Sequence, residues 1–302
     1  MTKLRSVFPL TLALAFLLLL PVSSLAKEKE NDNAIVGPAK VTMGDNVATI
    51  DLPEGYAFIK QDVAQKILEE QGNPHEGVLG MLIPKPKGED ESVEFFVVCK
   101  FQDMGYVKDD DAEKIDAKEL LESYREGTRE QNKELEARGI PPVYIAGWAE
   151  EPHYDRTVHH VIWGISARDE DCENSPVTLV NYNTRILGRK GVLSMNLVTG
   201  PDTLNEDKRQ VNELLKKTSF VAGNRYEDFK PGVDKESGLG LTGLILGGGA
   251  LAVAAKTGLL GALSKWLIAA VLICKKFIIV IILAAVAGVK ALFGGGKKSD
   301  YE

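Results

Sequence analysis

The side chains best suited to metal binding or to acid–base chemistry lie together in one short polar segment. This segment holds three of the four histidines, His153, His159 and His160, and also Asp155. Imidazole and carboxylate groups are common zinc ligands, and a nearby carboxylate can act as a general base or orient a metal-bound histidine. The segment is therefore the first candidate site, for metal binding or for hydrolysis.

The expected geometry of this segment argues against one shared metal ion. Neighbouring residues of a strand point to opposite faces of a sheet, so His159 and His160 cannot both bind one ion without a bulge. Asp155 falls in a predicted turn, where aspartate commonly bonds the backbone that follows it. A structural turn is the preferred interpretation, and no metal or other cofactor is predicted.

A second set of polar residues lies on one predicted strand, at residues 177–187. Asn181, Tyr182, Asn183 and Arg185 make this strand polar. They could line a ligand groove, but a solvent-facing sheet surface is the preferred interpretation. Ser194 lies in another strand pattern, without the Gly-x-Ser-x-Gly turn of the α/β-hydrolases, and no catalytic residue is predicted.

The elements around these candidates predict an antiparallel sheet. Residues 40–52 alternate around a turn and predict a β-hairpin. Residues 92–101 are apolar on both faces and predict a central strand that is covered on both sides. Four successive strand patterns at residues 144–198 predict an antiparallel meander. Trp148 and Trp163 lie on its first two strands and are expected in the core of a central hairpin.

About three helices are predicted to pack on this sheet. The first buries Val63, Ile67 and Leu68 at helical spacing. The second begins after Asp116, a residue type that caps helix N-termini, and Thr203 opens the third. The order of strands and helices along the chain predicts an α+β fold.

Residues 1–26 have the pattern of a secretory signal peptide. Lys3 and Arg5 precede an apolar run at residues 8–20, and the small residues Ser24 and Ala26 suit cleavage after position 26. An uncleaved membrane anchor is the alternative. Cleavage is preferred, because the apolar run is shorter than the roughly 20 residues that a membrane-spanning helix needs.

Residues 239–293 are strongly apolar and predict a membrane anchor, followed by a polar tail at residues 294–302. The anchor holds two apolar runs. Residues 239–255 carry no charge and approach the length of a span. Residues 266–289 are longer, but two central lysines interrupt them at a cost of about 5–7 kcal/mol for insertion.

Two topologies follow from these runs. Both runs can cross the cytoplasmic membrane as a helical hairpin, which is the preferred topology. Alternatively, one run crosses and the other lysine-bearing residues lie along the interface as an amphipathic helix. Gly243 and Gly247 have the spacing that lets two helices approach closely, so self-association within the lipid bilayer is expected there.

The segment between signal peptide and anchor, residues 27–238, is strongly acidic. Of the chain's 36 basic and 43 acidic residues, two basic residues precede this segment, and seven lysines and two acids follow it. The segment therefore holds 27 basic and 41 acidic residues. This charge excludes nucleic acid as a partner and favours basic or cationic ones, such as another envelope protein.

Cys99 and Cys172 are the two thiols of the acidic segment. An oxidising compartment permits a disulfide between them. Cys99 lies in an apolar strand pattern, whereas Cys172 lies in an acidic loop. Two free thiols are therefore the preferred interpretation, and a disulfide is the alternative.

Several strings of the sequence resemble a family of exported bacterial proteins. These strings are VGPA at residues 36–39, LPEGYAFI at 52–59, GYVKDDD at 105–111, GW at 147–148, PHYD at 152–155, VNYNT at 180–184 and NLV at 196–198. With the lysine-dotted apolar tail, they resemble the family filed as domain of unknown function 2167, described as predicted membrane-anchored proteins. The resemblance implies location and anchoring, and it offers no catalytic or binding residues to carry over.

In element order, the predicted domain is also similar to small exported α+β domains of the photosystem extrinsic-protein type, a likeness that carries no function. The expected protein is an extracytoplasmic domain anchored to the cytoplasmic membrane. Its expected activity is non-enzymatic binding of a ligand or of another envelope protein. The alternative is an envelope hydrolase or metal-binding protein that uses the segment at residues 153–160.

Overall fold

A computed structural model describes residues 33–70, 73–85, 93–137, 139 and 141–246 of the chain. The predicted signal peptide at residues 1–26 lies outside these residues, and so does most of the predicted membrane anchor. The described elements are eleven β-strands, four α-helices and two short 3-10 helices.

The strands are, in chain order, β1 (Ala34–Val36), β2 (Ala39–Met43), β3 (Ala48–Leu52), β4 (Tyr56–Lys60), β5 (Val78–Pro84), β6 (Phe96–Gln102), β7 (Tyr144–Asp155), β8 (His160–Arg168), β9 (Leu179–Leu187), β10 (Val192–Thr199) and β11 (Thr218–Phe220). The helices are α1 (Gln61–Glu70), α2 (Ala117–Ala137), α3 (Leu204–Lys216) and α4 (Leu241–Ile245), and the 3-10 helices are Ala112–Lys114 and Tyr226–Asp228.

The strands form two antiparallel sheets. The large sheet has the order β1-β4-β5-β6-β10-β9-β8-β7, and the small sheet has the order β11-β3-β2. The predicted meander is confirmed as β7 to β10, in which each strand pairs with the next. The predicted hairpin is β2 and β3, which pair within the small sheet. The α+β class, the antiparallel sheet and its three long helices are therefore as the sequence predicts.

Apolar layers cover both faces of the large sheet. On one face, the core joins the sheet to the small sheet and to α3, with Ile50, Leu193 and Val211 among its members. On the other face, the core joins the sheet to α1, α2 and α4. Strand β6 contributes Val97 to the first core and Phe96 to the second. This strand is central and covered on both sides, as predicted.

Polar side chains fix helix α2 against the sheet. Asp116 caps its first turn, because its Oδ1 accepts hydrogen bonds from the backbone N–H groups of Lys118 at 2.9 Å and Glu119 at 3.0 Å. Asn132 pairs with the backbone of Val143 in both directions, at 2.8 and 3.0 Å. The asparagine thereby substitutes for a neighbouring strand just before β7 begins.

The hairpin of β7 and β8 is not central, contrary to the expectation, because β7 forms one edge of the large sheet. Its pairing with β8 shifts register at three points, and such irregularities protect an edge strand from pairing with other chains. Trp163 on β8 is buried. Trp148 on β7 is only half-buried, and its Nε1 donates a hydrogen bond to the backbone oxygen of Ala117 at 2.9 Å.

Helix α4 places the first residues of the predicted anchor inside the packed domain. Leu241, Leu244 and Ile245 are buried in the core. The backbone N–H of Leu241 donates to Asp111 Oδ1 at 2.9 Å, and the Tyr124 hydroxyl donates to the backbone oxygen of Ile245. The domain therefore continues beyond the boundary predicted at residue 238. No helix in the described part of the chain has the length and apolarity needed to cross a membrane.

The two cysteines of the domain are free. Cys99 is buried in the core and Cys172 is exposed. Burial raises the pKa of the Cys99 thiol to about 12. This thiol is therefore protonated near neutral pH and is a poor nucleophile.

Candidate functional site

The hairpin tip between β7 and β8 holds the first candidate residues. Asp155 ends β7 and His160 begins β8, while His159 lies in the turn with a φ of 54°. Asp155 Oδ1 accepts hydrogen bonds from the hydroxyl of Thr157 at 2.6 Å and from its backbone N–H at 2.9 Å. These bonds lower the pKa of Asp155. The carboxylate shapes the turn, which is the role that the sequence favours.

The three histidines near the tip have different surroundings. His153 is exposed, and its Nε2 lies 3.8 Å from Glu150 Oε1. His159 Nδ1 lies 2.8 Å from the hydroxyl of Tyr154. His160 is half-buried, and this burial lowers its pKa to about 4. Across the described ranges, no group of three or more His, Cys, Asp or Glu residues is arranged to hold a metal ion.

The Tyr154 hydroxyl joins the tip to an acidic loop. It donates a hydrogen bond to Asp109 Oδ2 at 2.9 Å while it contacts His159. The His159 ring lies 4.2 Å from that of Tyr226, which stacks on Tyr106 at 4.5 Å. Burial, and then the bond to Asp109, raises the pKa of Tyr154. The Tyr154 hydroxyl therefore stays protonated near neutral pH and is not activated as a nucleophile. Its contacts stabilise the hairpin tip.

Asp155 and His160 also line an open groove of about 780 Å³ between the hairpin tip and α3. Apolar side chains such as Ile162 share its wall with charges of both signs, including Arg209 and Glu213. Acidic and basic side chains line the groove in equal number, so the charge of the groove does not favour anionic or cationic ligands. The tip candidates therefore do not converge on a reaction centre.

The second set of candidates lies in the protein interior. Asn181 and Asn183 are 2% and 3% exposed, and Arg185 is half-buried. The expected solvent-facing surface is therefore wrong. Leu179 and Leu187 lie on the same face of β9 and belong to the core shared with α1, α2 and α4. The polar residues between them on this face therefore point towards the same core.

Neighbouring strands add polar residues to the same face. On β10, Ser194 lies opposite Arg185 and Asn196 lies opposite Asn183. On β6, Lys100 lies opposite Ser194. Cross-strand partners project from the same side of a sheet. These six residues are called the inner polar patch, which consists of Lys100, Asn181, Asn183, Arg185, Ser194 and Asn196.

Several buried polar atoms of the patch have no hydrogen-bond partner. They are Asn181 Nδ2, Asn183 Oδ1, Ser194 Oγ and Asn196 Oδ1. The hydrogen bonds that the amides do form are long, at 3.3 and 3.4 Å. Each unpaired buried group costs about 1–3 kcal/mol, and such groups are rare in native proteins. Four of them on one face therefore require an explanation.

Two cations accompany these unpaired groups. The Arg185 guanidinium lies over the ring of Trp163, 5.1 Å from its centroid, and burial lowers its pKa to about 10. Burial and the nearby Arg185 charge lower the pKa of Lys100. The Glu76 carboxylate acts in the opposite direction and partly offsets this shift. No carboxylate in the described part of the chain lies within ion-pair distance of Arg185 or Lys100.

An aromatic contact fixes the platform beneath Arg185. Trp163 Nε1 donates a hydrogen bond to the Tyr124 hydroxyl at 3.1 Å, and that hydroxyl donates to the backbone oxygen of Ile245. Strand β8, helix α2 and helix α4 thus hold the Trp163 ring in place. A guanidinium stacked on a fixed ring is oriented in advance for a planar partner.

Three of the six patch residues, Asn181, Asn183 and Arg185, are binding candidates in the sequence. Lys100 and Asn196 were not candidates, and Ser194 was considered only as a nucleophile and set aside, although the sequence holds a signal for two of these residues. In β10, Ser194 and Asn196 alternate with Leu193, Met195 and Leu197, so one face of the strand is polar. The pairing of β10 with β9 makes this polar face part of the patch, and that register cannot be read from one strand.

Comparisons with known proteins give one family match. Residues 35–286 match the family described as Protein of unknown function (DUF2167). The solution structure of cyanobacterial PsbP (CyanoP) from Synechocystis sp. PCC 6803 is similar at 10% sequence identity, over 61% of this chain and 92% of that chain, with a TM-score of 0.35. This distant likeness carries no functional argument. No curated protein matches the chain.

Substitution of His160 tests whether its burial makes the tip sensitive to acid. The folded-state pKa of about 4 lies below the ordinary value of 6.5, so the unfolded chain takes up a proton first as the pH falls. The free energy of unfolding should therefore decrease between these two pH values, with His160 contributing about 3 kcal/mol.

We expect His160→Gln to reduce this decrease by about that amount, as measured by chemical denaturation of the intact chain in detergent at neutral and acidic pH. His153→Gln at the exposed neighbouring position is the control and should keep the pH dependence of the wild-type protein. Equal pH dependence of the wild-type and His160→Gln proteins would contradict the burial of a neutral imidazole.

Proposed function

We propose that this chain, which belongs to the family Protein of unknown function (DUF2167) as its sequence strings predict, is a membrane-anchored extracytoplasmic binding domain. Its proposed activity is non-enzymatic binding of a small polar ligand on the inner polar patch. The observation that carries the proposal is the cluster of unpaired buried amides beside Arg185, for which the described residues offer no carboxylate.

The energetics of the patch support a binding role. Four unpaired buried atoms at about 1–3 kcal/mol each are a large cost for domains whose net stability is about 5–15 kcal/mol. Apolar side chains of similar shape would avoid this cost. Polar groups kept in such a place are explained if a ligand forms hydrogen bonds with them, because the ligand then offsets the cost.

The arrangement of potential nucleophiles favours binding over catalysis. Ser194 lies opposite Lys100, and a serine beside a lysine with a lowered pKa can form a catalytic pair. Such a pair requires a hydrogen bond between nucleophile and base. Ser194 Oγ has no hydrogen-bond partner, so Lys100 is not placed to activate it. At the hairpin tip, Asp155 is engaged with Thr157.

The position of α4 favours one membrane span over the helical hairpin. Leu241–Ile245 pack in the domain core, which leaves residues 246–255 as the remaining uncharged part of the first run. These residues are too few to cross a bilayer. The proposed span is residues 266–289, with the lysines of the polar tail on the cytoplasmic side.

Residues 1–26 direct export of the domain, and the acidic segment suits a basic envelope partner. Self-association of two helices through the Gly243 and Gly247 face inside the bilayer is not proposed. Gly243 lies in α4 within the domain, and Gly247 lies outside the described residues.

Cysteine labelling distinguishes the two topologies. Ser264 lies between the apolar runs, so a single span at residues 266–289 leaves it outside the cell. We expect Ser264→Cys, in a Cys172→Ser background, to react with a membrane-impermeant maleimide on intact spheroplasts. The exposed Cys172 of the wild-type protein is the positive control. Labelling of position 264 only after permeabilisation would establish the helical hairpin instead.

Native mass spectrometry tests the binding function. We expect the intact chain, purified in mild detergent, to carry a bound small molecule whose mass adds to that of the polypeptide. Arg185→Met and Ser194→Ala should lower the fraction of loaded protein, because each removes a hydrogen-bond donor of the patch.

Arg156→Met is the matched control, because this arginine lies outside the patch with a side chain that is 62% exposed. It should keep the bound molecule. A wild-type protein with the bare mass of the polypeptide, or an adduct that the patch variants leave unchanged, would contradict the proposed function.

A further inference from the structure

We infer that the inner polar patch takes a small organic carboxylate that also carries a hydroxyl or amide group. The carboxylate lies on the row formed by Lys100, Ser194 and Arg185, and the second polar group lies on the row formed by Asn183 and Asn196. This inference rests on the proposed binding function and adds the chemical class and the orientation of the ligand.

The first row of the patch requires a negative charge. Lys100 and Arg185 lie opposite Ser194 on its two sides, and no carboxylate of the described residues forms an ion pair with either cation. Glu76 is near enough to raise the pKa of Lys100 but forms no ion pair with it, so the two cations leave an excess of positive charge within a strongly acidic segment. An anionic group would neutralise both cations and accept a hydrogen bond from the serine hydroxyl.

The donors of this row suit a carboxylate better than a phosphate. The planar Arg185 guanidinium offers two parallel N–H groups, which match the two oxygens of a carboxylate. Phosphate sites commonly add backbone N–H groups from helix N-termini or glycine-rich turns. Strands β9 and β10 pair on both sides within the sheet, so their backbone N–H groups are used by the ladders.

The second row requires hydrogen-bond donors from the ligand. Asn183 Oδ1 and Asn196 Oδ1 are unpaired acceptors, and Asn181 Nδ2 beyond them is an unpaired donor. A hydroxyl or amide group can serve both kinds of partner. The two rows are two residues apart along each strand, or about 7 Å. The ligand therefore carries this group at about that distance from its carboxylate.

The exposure of the patch residues fits a largely enclosed ligand. Asn183 and Ser194 are almost completely buried, whereas Lys100, Arg185 and Asn196 keep partial exposure. The partly exposed side chains reach solvent, and a ligand would enter from that side. The buried ones then contact the part of the ligand that leaves water, where each hydrogen bond discriminates most strongly.

Titration calorimetry with defined probes tests this ligand class on the intact chain in detergent. The carboxylate probes are D-glucuronate and 5-acetamidopentanoate, whose hydroxyl or amide group can lie about two strand residues from the carboxylate, and the comparison compounds are D-glucose, D-glucose 6-phosphate and acetate. We expect saturable binding of at least one carboxylate probe, at least about tenfold tighter than that of any comparison compound.

Three variants locate this binding. Arg185→Met should weaken the carboxylate probe by about tenfold or more, and Ser194→Ala should weaken it by a smaller factor while leaving the charges of the row intact. Arg156→Met should bind like the wild-type protein. A loss of affinity that is equal in all three variants would overturn the assignment of the row.

The remaining outcomes separate this inference from the function on which it rests. If glucose binds as tightly as the carboxylate probes, the inference that the ligand is an anion is wrong. If glucose 6-phosphate binds more tightly than the carboxylate probes, the anionic group of the ligand is a phosphate rather than a carboxylate. No saturable probe binding, together with a molecule seen by native mass spectrometry, overturns the ligand class alone. If no probe binds and native mass spectrometry shows no bound molecule, the ligand class and the binding function are both wrong.

Discussion

Apolar layers cover both faces of the large sheet, so the side chains of its inner strands point into a core whichever way they turn. A polar residue on β9 or β10 must therefore find a partner inside the protein or remain unpaired. Asn181, Asn183 and Ser194 remain without full partners in this interior. Their chemistry, rather than that of the exposed hairpin tip, gives the molecule its candidate site.

The same core connects the candidate site with the chain that leads towards the predicted membrane span. The Tyr124 hydroxyl contacts both Trp163, which supports Arg185, and the backbone of Ile245 in α4. Helix α4 therefore packs in the core of the domain and is also its last described element. Arg185 of the patch and the last described helix therefore contact the same aromatic pair, Trp163 and Tyr124.

Local patterns predict much of this fold. The meander, the β2–β3 hairpin and the helices follow from alternation, helical spacing and residues such as Asp116, all of which act over a few positions. The turn role of Asp155 is equally local. By contrast, the inner polar patch depends on the register of three strands and on the helices that cover them. A sequence of polar residues at alternate positions fits an exposed face as well as a buried one.

The end of the domain shows a second limit of sequence patterns. Leu241, Leu244 and Ile245 belong to an uncharged run that is apolar enough for a membrane, yet they pack against α2 and β8. A protein core and a bilayer select the same residue types, so composition cannot separate the two environments. The contacts of Tyr124 and Asp111 with this short helix decide between them.

The most direct test of the central claim is the free energy of unfolding of ligand-free Asn183→Leu. If the buried amide is kept for a ligand, the substitution removes an unpaired acceptor and should stabilise the protein by about 1–2 kcal/mol. Asn132→Leu, which removes an amide paired in both directions with Val143, should destabilise it. A loss of about 2 kcal/mol or more in Asn183→Leu would show that this amide is a structural element of the core, and would contradict the account.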